Sequence, residues 1–456
     1  MNLENAPKLE QLEPALETFF RLASNKAHAL DRDWNPADGS PVFTVRGKYA
    51  VRGWTEWTQG FQYGIQILVF DATGDEEMLR IGRENTLERM APHLSHVGVH
   101  DHGFNNISTY GNLRRLALEN RTGDGPDLVR VYELALKVSG AVQAARWTTL
   151  RDGTGFIHSF NGPHSLFSDT ARSCRSLVLA HKLGHCLMGE NDVRISLLER
   201  AVQHLTNTSR YNVYFGEGRD IYDEPGRVAH EGLFNTTDGR YRCPSTQQGY
   251  SPFSTWTRGL AWIILGYAEQ LEFFRALPDD EIEGVGGRPR VETMLLKTAQ
   301  AAADYYIANS AEDGIPYWDT GAPGLANIRN WRKKPAQVDN EYEPVDSSAA
   351  AIAAQGLLRL GRTLGNGAGD SYTAAGLKTA HTLFGQPYLS EDLEHQGLIL
   401  HSVYHRPNGW DYVPEGKHVP QGESSMWGDY HAMELAVYLQ RLAQGGPYLT
   451  FFATAS

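Results

Sequence analysis

The chain contains 456 residues, 41% of them hydrophobic, and its 54 acidic and 42 basic side chains give a formal net charge of −12. This balance argues against a nucleic-acid partner, because no surplus of lysine and arginine is present to neutralise phosphates. Three cysteines without a framework spacing argue against a disulfide-built secreted domain, and neither a signal peptide nor an apolar run of roughly 18 residues is apparent. We therefore expect a cytoplasmic protein with no membrane partner.

Helical periodicity recurs along the whole chain, whereas sustained strand alternation is rare. Some helices carry clear boundary signals. The segment DSSAAAIAAQGLLRLG begins with Asp346 as an N-cap and ends at Gly361. In chain order, the predicted helices span residues 8–22, 57–70, 75–92, 105–120, 127–149, 169–187, 191–208, 255–275, 292–309, 346–362, 371–383 and 425–442.

Long connections separate some of these helices and are filled with Gly, Pro, Asn, His and aromatic residues. Long loops in a compact domain are usually functional. No Pro- or Ser-rich linker divides the chain, so we expect one all-α domain over residues 1–456, an (α/α)6 barrel in which an outer ring of helices surrounds an inner ring. Two stacked helical domains or a solenoid are the alternatives. The long loops are 93–104, 150–168, 209–254, 310–345 and 384–424.

Histidines cluster in two segments, HLSHVGVHDHGF at 93–104 and HKLGHC at 181–186. A zinc site must be considered, because His181 and His185 lie one helical turn apart. The pair lacks the following Glu that acts as base in the HExxH pattern, and the cysteines form no CxxC pair. The pattern favours ordinary loop and helix histidines, so we expect no metal and no cofactor.

Two aspartates stand at predicted helix starts, Asp101 in VHDHGFNN and Asp169 in HSLFSDTARSC. Each has a purely structural interpretation as an N-cap. Two carboxylates above the mouth of a helical barrel, one of them in an apolar setting that raises its pKa, also suit acid/base chemistry on a sugar. Nothing local in the sequence shows that the two meet.

The segment TQQGYSPFSTWTRGLAWIILGYAEQ, residues 246–270, joins a loop to a helix. Trp256 and Trp262 offer flat apolar faces for a sugar ring, Gln248 can donate and accept, and Arg258 presents a rigid fork that matches a carboxylate. An acidic sugar fits this set. The structural alternative is that Trp262 belongs to the core and Arg258 pairs with an acidic neighbour.

This segment closely resembles the QGY…SxWxRGxAWxxxGxA hallmark of the unsaturated glucuronyl hydrolases, glycoside hydrolase family 88, and more distantly the unsaturated rhamnogalacturonyl hydrolases of family 105. Further segments agree in order and spacing from about residue 55 to 442. VHDHGF resembles the family's HDxGF loop, PVDSSAAAIAAQGLLRL its Ala-rich helix, and SSMWGDYHAMELAVYL its C-terminal WGDY helix. The resemblance implies an (α/α)6 enzyme that acts on an unsaturated uronic acid.

The resemblance also implies residue roles. It makes Asp101 and Asp169 the two essential carboxylates, with Asp169 as proton donor and base and Asp101 placing and stabilising it. It makes His230 a substrate-binding residue, eighteen positions before Gln248. We also assign His100 to substrate binding. Should Arg258 not hold the anion, His230, Ser424 and Ser425 are the next candidates.

The chain departs from the family pattern in two places. Gln62 replaces a tryptophan of the N-terminal helix, so an aromatic platform there must be weaker or must come from Trp54 or Trp57. After Asp169, the usual Asn-Leu-Pro-Leu is replaced by Ser-Cys-Arg-Ser at 173–176. The preferred substrate can therefore differ from that of other members.

The implied reaction is hydration of the C4=C5 double bond that polysaccharide lyases leave at the non-reducing end of their products. The partner is an unsaturated uronic-acid-containing oligosaccharide, with a disaccharide as the expected size. A non-catalytic carbohydrate-binding protein and a sugar epimerase on the same helical barrel are the competing hypotheses. A binding protein needs the aromatic and polar residues of 246–270 but no paired carboxylates.

Overall fold

The structure of this protein is a computed structural model that describes residues 1–52 and 56–453. Its helices are α1 (Glu13–Asp33), α2 (Gln59–Thr73), α3 (Glu76–Arg89), α4 (Ala91–Leu94), α5 (His102–Asn106), α6 (Asn112–Leu118), α7 (Pro126–Ala145), α8 (Thr170–Ser173), α9 (Arg175–Lys182), α10 (Leu197–Asn212), α11 (Thr257–Ala276), α12 (Asp279–Glu283), α13 (Arg288–Asn309), α14 (Ser347–Leu364), α15 (Asp370–Leu383) and α16 (Met426–Gln444). A π-helical turn, Ile107–Gly111, joins α5 to α6.

The strands are short and lie in the connections between helices. They are β1 (Phe43–Val45), β2 (Lys48–Ala50), β3 (Trp147–Thr149), β4 (Gly155–Ile157), β5 (Ser165–Phe167), β6 (Leu187–Met188), β7 (Arg194–Ile195), β8 (Glu231–Phe234) and β9 (Tyr241–Ser245). Antiparallel pairing joins β1 to β2, β3 to β4 and β6 to β7, and builds a three-stranded sheet in the order β5-β8-β9.

The helices form two concentric rings, which confirms the predicted (α/α)6 barrel. The inner ring contains α2, α5–α6, α8–α9, α11, α14 and α16, and each of these segments contacts the next until α16 contacts α2. The outer helices α1, α3, α7, α10, α13 and α15 each precede an inner segment in the chain. Because α2 and α16 come from opposite ends of the sequence, their contact closes the ring and excludes an open solenoid.

The inner helices are buried on nearly all sides, since outer helices cover them and the ring surrounds them. In α14, every residue from Ser347 to Gly361 is buried. Small residues permit this close packing. At Gly356, an added Cβ would lie 2.7 Å from the backbone nitrogen of Leu265 in α11. A run of alanines and glycine therefore sets the distance between α11 and α14.

The predicted helices are present, with errors at their ends. The largest error is in α1, which continues to Asp33 instead of ending near residue 22. Lys26 breaks the apolar pattern there, yet it is buried because its ammonium group donates to Ser390 Oγ and to three backbone carbonyls of the 392–397 loop. A sequence pattern cannot show that a lysine has such partners.

Two predicted helices end early because a strand begins. The helix predicted to reach residue 149 ends at Ala145, before β3, and the one predicted to reach 187 ends at Lys182, before the hairpin of β6 and β7. No helix in the described part of the chain combines the length and apolarity that crossing a membrane requires.

We expect Gly356→Ala to lower the free energy of unfolding by about 1–3 kcal/mol, because the new methyl group would meet backbone atoms of α11 that have no room to move. Denaturant unfolding measures this. Gly125→Ala is the matched control, since no atom lies within 4 Å of the added Cβ there, and its cost should stay below about 1 kcal/mol. Equal effects for the two variants would contradict the packing argument.

Candidate active site

A cavity of about 890 Å³, measured with its open mouth, lies at the end of the barrel where inner helices begin. The N-cap residues of α5, α8 and α11 are Asp101, Asp169 and Trp256, and all three line the cavity. The remaining lining residues are Trp57, Val99, His100, Phe104, Phe160, Phe167, Gln247, Gln248, Arg258, Trp262, Tyr404, His405, Asn408 and Trp410.

The fold brings Asp101 and Asp169 together with His100. One oxygen of each carboxylate and a ring nitrogen of His100 lie within 4.8 Å of one another. His100 Nε2 is 3.3 Å from Asp169 Oδ2 and 3.8 Å from Asp101 Oδ1. Neither aspartate caps its own helix through its side chain. Both aspartates therefore occupy N-cap positions, but the interpretation of their carboxylates as helix caps is wrong for both.

The hydrogen bonds of His100 determine its tautomer. Its Nδ1 accepts from the backbone N–H of Phe160 at 3.2 Å, so Nε2 carries the proton and donates to Asp169. Within the described residues, His100, Asp101 and Asp169 form the one group of His, Cys, Asp or Glu side chains spaced to hold a metal ion. A protonated Nε2 is not a metal ligand, which disfavours a metal at this group.

The two carboxylates experience opposite electrostatic effects. Burial raises the pKa of Asp101 above its ordinary value, and the charge of Asp169 adds to this. Burial also acts to raise the pKa of Asp169, but the hydrogen bond that His100 donates and the electrostatic attraction of its ring N–H outweigh this effect, and the pKa of Asp169 is lowered. The raised pKa that the sequence analysis expects at one of the two carboxylates therefore belongs to Asp101 and not to Asp169, because His100 donates to Asp169.

Two buried polar atoms beside the cavity have no hydrogen-bond partner in the described part of the chain, Asp169 Oδ1 and His230 Nε2. His230 Nδ1 accepts the backbone N–H of Gln247 at 3.0 Å, so Nε2 carries a proton. Burial lowers the pKa of His230 to about 4, which keeps the ring neutral. Asp169 Oδ1 is therefore an acceptor at the cavity, whereas His230 does not line the cavity and packs against the lining residues Phe167 and Trp256, with ring centres 4.4 and 4.7 Å away.

Arg258 lines the cavity, but its guanidinium group is already engaged, which corrects the expectation of a free carboxylate fork. Nη1 pairs with Asp346 Oδ2 at 3.2 Å and donates to the carbonyl of Val403. Nη2 donates to Tyr404 O at 2.9 Å and to Gln248 Oε1 at 2.8 Å. Asp346 and Arg258 are both buried. Arg258 therefore forms an ion pair with an acidic neighbour, as the structural alternative predicted.

The bond from Arg258 fixes the side-chain amide of Gln248. Because Oε1 accepts from the guanidinium, the amide nitrogen remains as a donor on a residue that lines the cavity. Trp256 and Trp262 line the same cavity, and the guanidinium of Arg258 lies 4.5 Å from the centre of the Trp256 ring. Trp262 also packs against Phe104 with ring centres 4.8 Å apart, so it serves the core and the cavity together.

The aromatic residue at the N-terminal side of the cavity is Trp57. It stacks on Trp427 with ring centres 5.2 Å apart, and it lines the cavity. Gln62 is buried and does not line the cavity. Trp54, the other candidate platform, lies outside the described residues.

Ser424 and Ser425 do not line the cavity, which corrects their assignment as anion ligands. Ser425 is the N-cap of α16, where its hydroxyl oxygen accepts from the N–H of Gly428 at 3.2 Å. The Ser424 hydroxyl donates to the carbonyl of Ile399. Both hydroxyls are engaged in protein contacts that stabilise the start of α16.

Nine cavity residues were not singled out by sequence reasoning, although all of them lie in loops predicted to carry function. One signal was available in the segment YHRPNGW, residues 404–410, where three aromatic or imidazole rings stand close together. The residues in question are Val99, Phe104, Phe160, Phe167, Gln247, Tyr404, His405, Asn408 and Trp410.

We expect Arg258→Ala to lower the free energy of unfolding by about 3–5 kcal/mol, because it leaves the Asp346 carboxylate buried without its partner. Chemical denaturation measures the loss. Gln248→Ala is the control that removes a contact of Arg258 without stranding a charge, and it should cost less than about 1 kcal/mol. If the Arg258→Ala protein is as stable as the wild type, the ion pair does not stabilise the fold, and the guanidinium group is instead free to bind a substrate carboxylate.

Comparison with known proteins supports the family resemblance. No protein-family model matches the chain. It is 27% identical over 431 residues to an unsaturated glucuronyl hydrolase of Bacillus sp. (strain GL1), covering 91% of this chain and 93% of the relative. It is 24% identical over 417 residues to an unsaturated chondroitin disaccharide hydrolase of Streptococcus pyogenes serotype M1, covering 89% and 86%.

A solved structure shows the same fold. The crystal structure of the unsaturated glucuronyl hydrolase from Bacillus sp. GL1, described as responsible for the degradation of glycosaminoglycan, superposes with a TM-score of 0.68 at 24% identity. The match covers 93% of this chain and 95% of that one. Over most of its length the chain is similar in sequence to the unsaturated glucuronyl hydrolases, and it shares their fold.

Proposed function

We propose that the chain is an enzyme, a glycoside hydrolase that removes a 4,5-unsaturated uronic acid from the non-reducing end of an oligosaccharide by hydrating its C4=C5 double bond. The observation that carries this proposal is the pair of buried carboxylates, Asp101 and Asp169, joined by His100 at an aromatic-lined cavity. A binding protein would need no such pair. Two relatives are named as an unsaturated glucuronyl hydrolase and an unsaturated chondroitin disaccharide hydrolase, which supports a substrate with an unsaturated uronic acid.

The cavity places both carboxylates beside His100, with one oxygen of each and a ring nitrogen of His100 within 4.8 Å of one another. Two carboxyl groups this close favour holding one proton between them, because like charges at short range are costly to ionise together. A proton held in this way suits transfer to C4 and the later return of a proton from water.

The reaction then proceeds in three steps. Asp169 donates a proton to C4, and the electron pair of the double bond forms the new C–H bond, leaving an oxocarbenium ion at C5 and the ring oxygen. Water adds at C5 and returns a proton to Asp169. The resulting hemiketal opens to a keto acid, and the adjoining sugar leaves with its hydroxyl group restored.

Asp169 suits the donor role because its Oδ1 has no protein partner while Oδ2 is held by His100. An anionic sugar that enters the cavity adds like charge and displaces water, and both effects raise the pKa of Asp169. Asp101, whose pKa burial already raises, is placed to orient the water and stabilise the charged intermediate.

In this proposal, neutral hydrogen-bond donors bind the carboxylate of the uronic acid. Among the described lining residues, Arg258 is the one Lys or Arg, and its fork is engaged. The amide nitrogen of Gln248 and the Nε2–H of His230 supply hydrogen bonds, and the N-terminus of the 20-residue helix α11 supplies a favourable dipole. Trp57, Trp256 and Trp262 offer ring faces to the flattened sugar.

We further propose that the enzyme works in the cytoplasm on disaccharides. The three cysteines, Cys174, Cys186 and Cys243, are all unpaired, as is usual in a reducing compartment. Relatives are named for unsaturated chondroitin disaccharides, and the cavity volume suits a small sugar.

The test is to incubate the purified chain with unsaturated disaccharides prepared by glycosaminoglycan lyases and to follow the ultraviolet absorbance of the conjugated double bond. We expect that absorbance to disappear as the keto acid forms. A saturated uronide of the same sequence should not be cleaved. Cleavage of both compounds would indicate displacement at the anomeric carbon, and binding with an unchanged absorbance would indicate a binding protein or an epimerase.

We expect Asp169→Asn and Asp101→Asn each to lower kcat by about a thousandfold or more with little change in melting temperature, because an amide neither donates nor accepts the required proton. Steady-state kinetics with the best disaccharide measures this. The fully exposed Asp127 provides the control Asp127→Asn. A variant at Asp169 that stays within about tenfold of wild type would remove it from the acid/base role.

We expect His100→Phe to move the alkaline limb of the pH–rate profile to higher pH. His100 lowers the pKa of both Asp101 and Asp169, so its removal raises both values, and the required proton is retained further into the alkaline range. The phenyl ring preserves the packing against Phe160 and Phe167. His164→Gln, on an exposed loop residue, is the control. A limb that moves to lower pH would contradict the electrostatic role of His100.

A further inference from the structure

Ser173 is a buried residue of the barrel interior that no motif singles out for chemistry. It is the last residue of α8, four positions after Asp169, and it does not line the cavity. Its hydroxyl donates to the carbonyl of His100 at 2.5 Å and accepts the N–H of Gly103 at 3.0 Å. It thus connects the segment that carries one carboxylate to the segment that carries the other.

The two backbone groups that Ser173 holds lie on either side of Asp101. The His100 carbonyl belongs to the peptide before Asp101, and the Gly103 N–H follows it by two residues. Holding both groups limits rotation and translation of the Asp101 backbone relative to α8. The hydroxyl therefore constrains the distance between the carboxylates of Asp101 and Asp169.

Gln143, from the outer helix α7, completes the network. Its Nε2 donates to the Ser173 hydroxyl at 2.9 Å and to the His100 carbonyl at 2.8 Å. Its Oε1 accepts from the hydroxyl of Ser176. The Ser173 hydroxyl uses its one donor and both acceptor positions, so the network admits a single arrangement.

The backbones at this contact are too close for a larger residue on the loop. A Cβ added to Gly103 would lie 2.0 Å from the carbonyl oxygen of Ser173. The guanidinium of Arg175 also donates to the Gly103 carbonyl at 3.0 Å. Ser173 and Arg175 belong to the four residues at which the sequence departs from the Asn-Leu-Pro-Leu pattern, whereas Gly103 belongs to the segment that resembles the HDxGF loop.

We propose that Ser173 is a positioning residue, whose hydroxyl sets the separation of the Asp101 and Asp169 carboxyl groups and thereby their sharing of a proton. The proposal rests on the hydrolase function proposed above for its effect on rate. Its effect on the two carboxyl groups exists in the protein whether or not that function is correct.

The kinetic test compares Ser173→Ala with Ser176→Ala. Ser176 belongs to the same network, but its hydroxyl contacts Gln143 and the Ser173 carbonyl, with no bond to the Asp101 loop. We expect Ser173→Ala to lower kcat by about 10- to 100-fold, to change KM less than about threefold, and to shift the pH–rate profile. Ser176→Ala should leave the profile in place, and Ser173→Thr, which keeps the hydroxyl, should recover part of kcat.

A measurement without substrate separates this proposal from the proposed function. Carbon NMR of protein with labelled aspartate carboxyl groups follows the titration of Asp101 and Asp169, each assigned through its Asn variant. We expect Ser173→Ala to move at least one of the two titrations and Ser176→Ala to move neither. Unchanged titrations in Ser173→Ala overturn the positioning role even if the chain proves inactive. A wild type that consumes no unsaturated disaccharide overturns the hydrolase function alone.

Discussion

The cavity depends on the buried ion pair between Arg258 and Asp346. Burying two charges is costly, and such a pair is retained only where further hydrogen bonds satisfy both groups. Here the guanidinium also holds the Val403 and Tyr404 carbonyls, while Asp346 accepts the backbone N–H groups of Ser348 and Ala349. One interaction therefore joins the start of α11, the start of α14 and the loop that supplies several aromatic cavity residues.

The same ion pair also affects how the cavity can hold a ligand. The charge of Arg258 is already paired with Asp346, so Arg258 acts on the cavity through the groups that it orients. By holding Gln248 Oε1, Arg258 orients a neutral amide donor at the cavity. His230 packs against the lining residues Phe167 and Trp256, and burial keeps its ring uncharged. A uronate held by neutral groups and a helix N-terminus leaves the nearby carboxylates free to compete for a proton, whereas an unpaired arginine would favour their ionised forms.

The barrel architecture explains why these groups meet. Asp101, Asp169 and Trp256 each stand at the first turn of an inner segment, so ring closure gathers residues from distant parts of the chain at one mouth. His100 and Ser173 then refine the arrangement from two directions. His100 Nε2 donates to Asp169 and lies 3.8 Å from Asp101, while Ser173 holds the backbone beside Asp101. Proton chemistry requires this precision, because small displacements change both pKa values and rates.

The sequence by itself determined the helical periodicity, the barrel, the two carboxylates and the aromatic residues of 246–270, because these are written in local patterns and ordered motifs. Tertiary structure decided what those side chains contact. Arg258 meets Asp346, 88 residues away, and Lys26 meets carbonyls more than 360 residues away. Ser424 and Ser425 are engaged near α16, and His100 lowers the pKa of Asp169 against the effect of burial. Hydrogen-bond partners and electrostatic shifts depend on distances in space, and a local sequence pattern does not contain those distances.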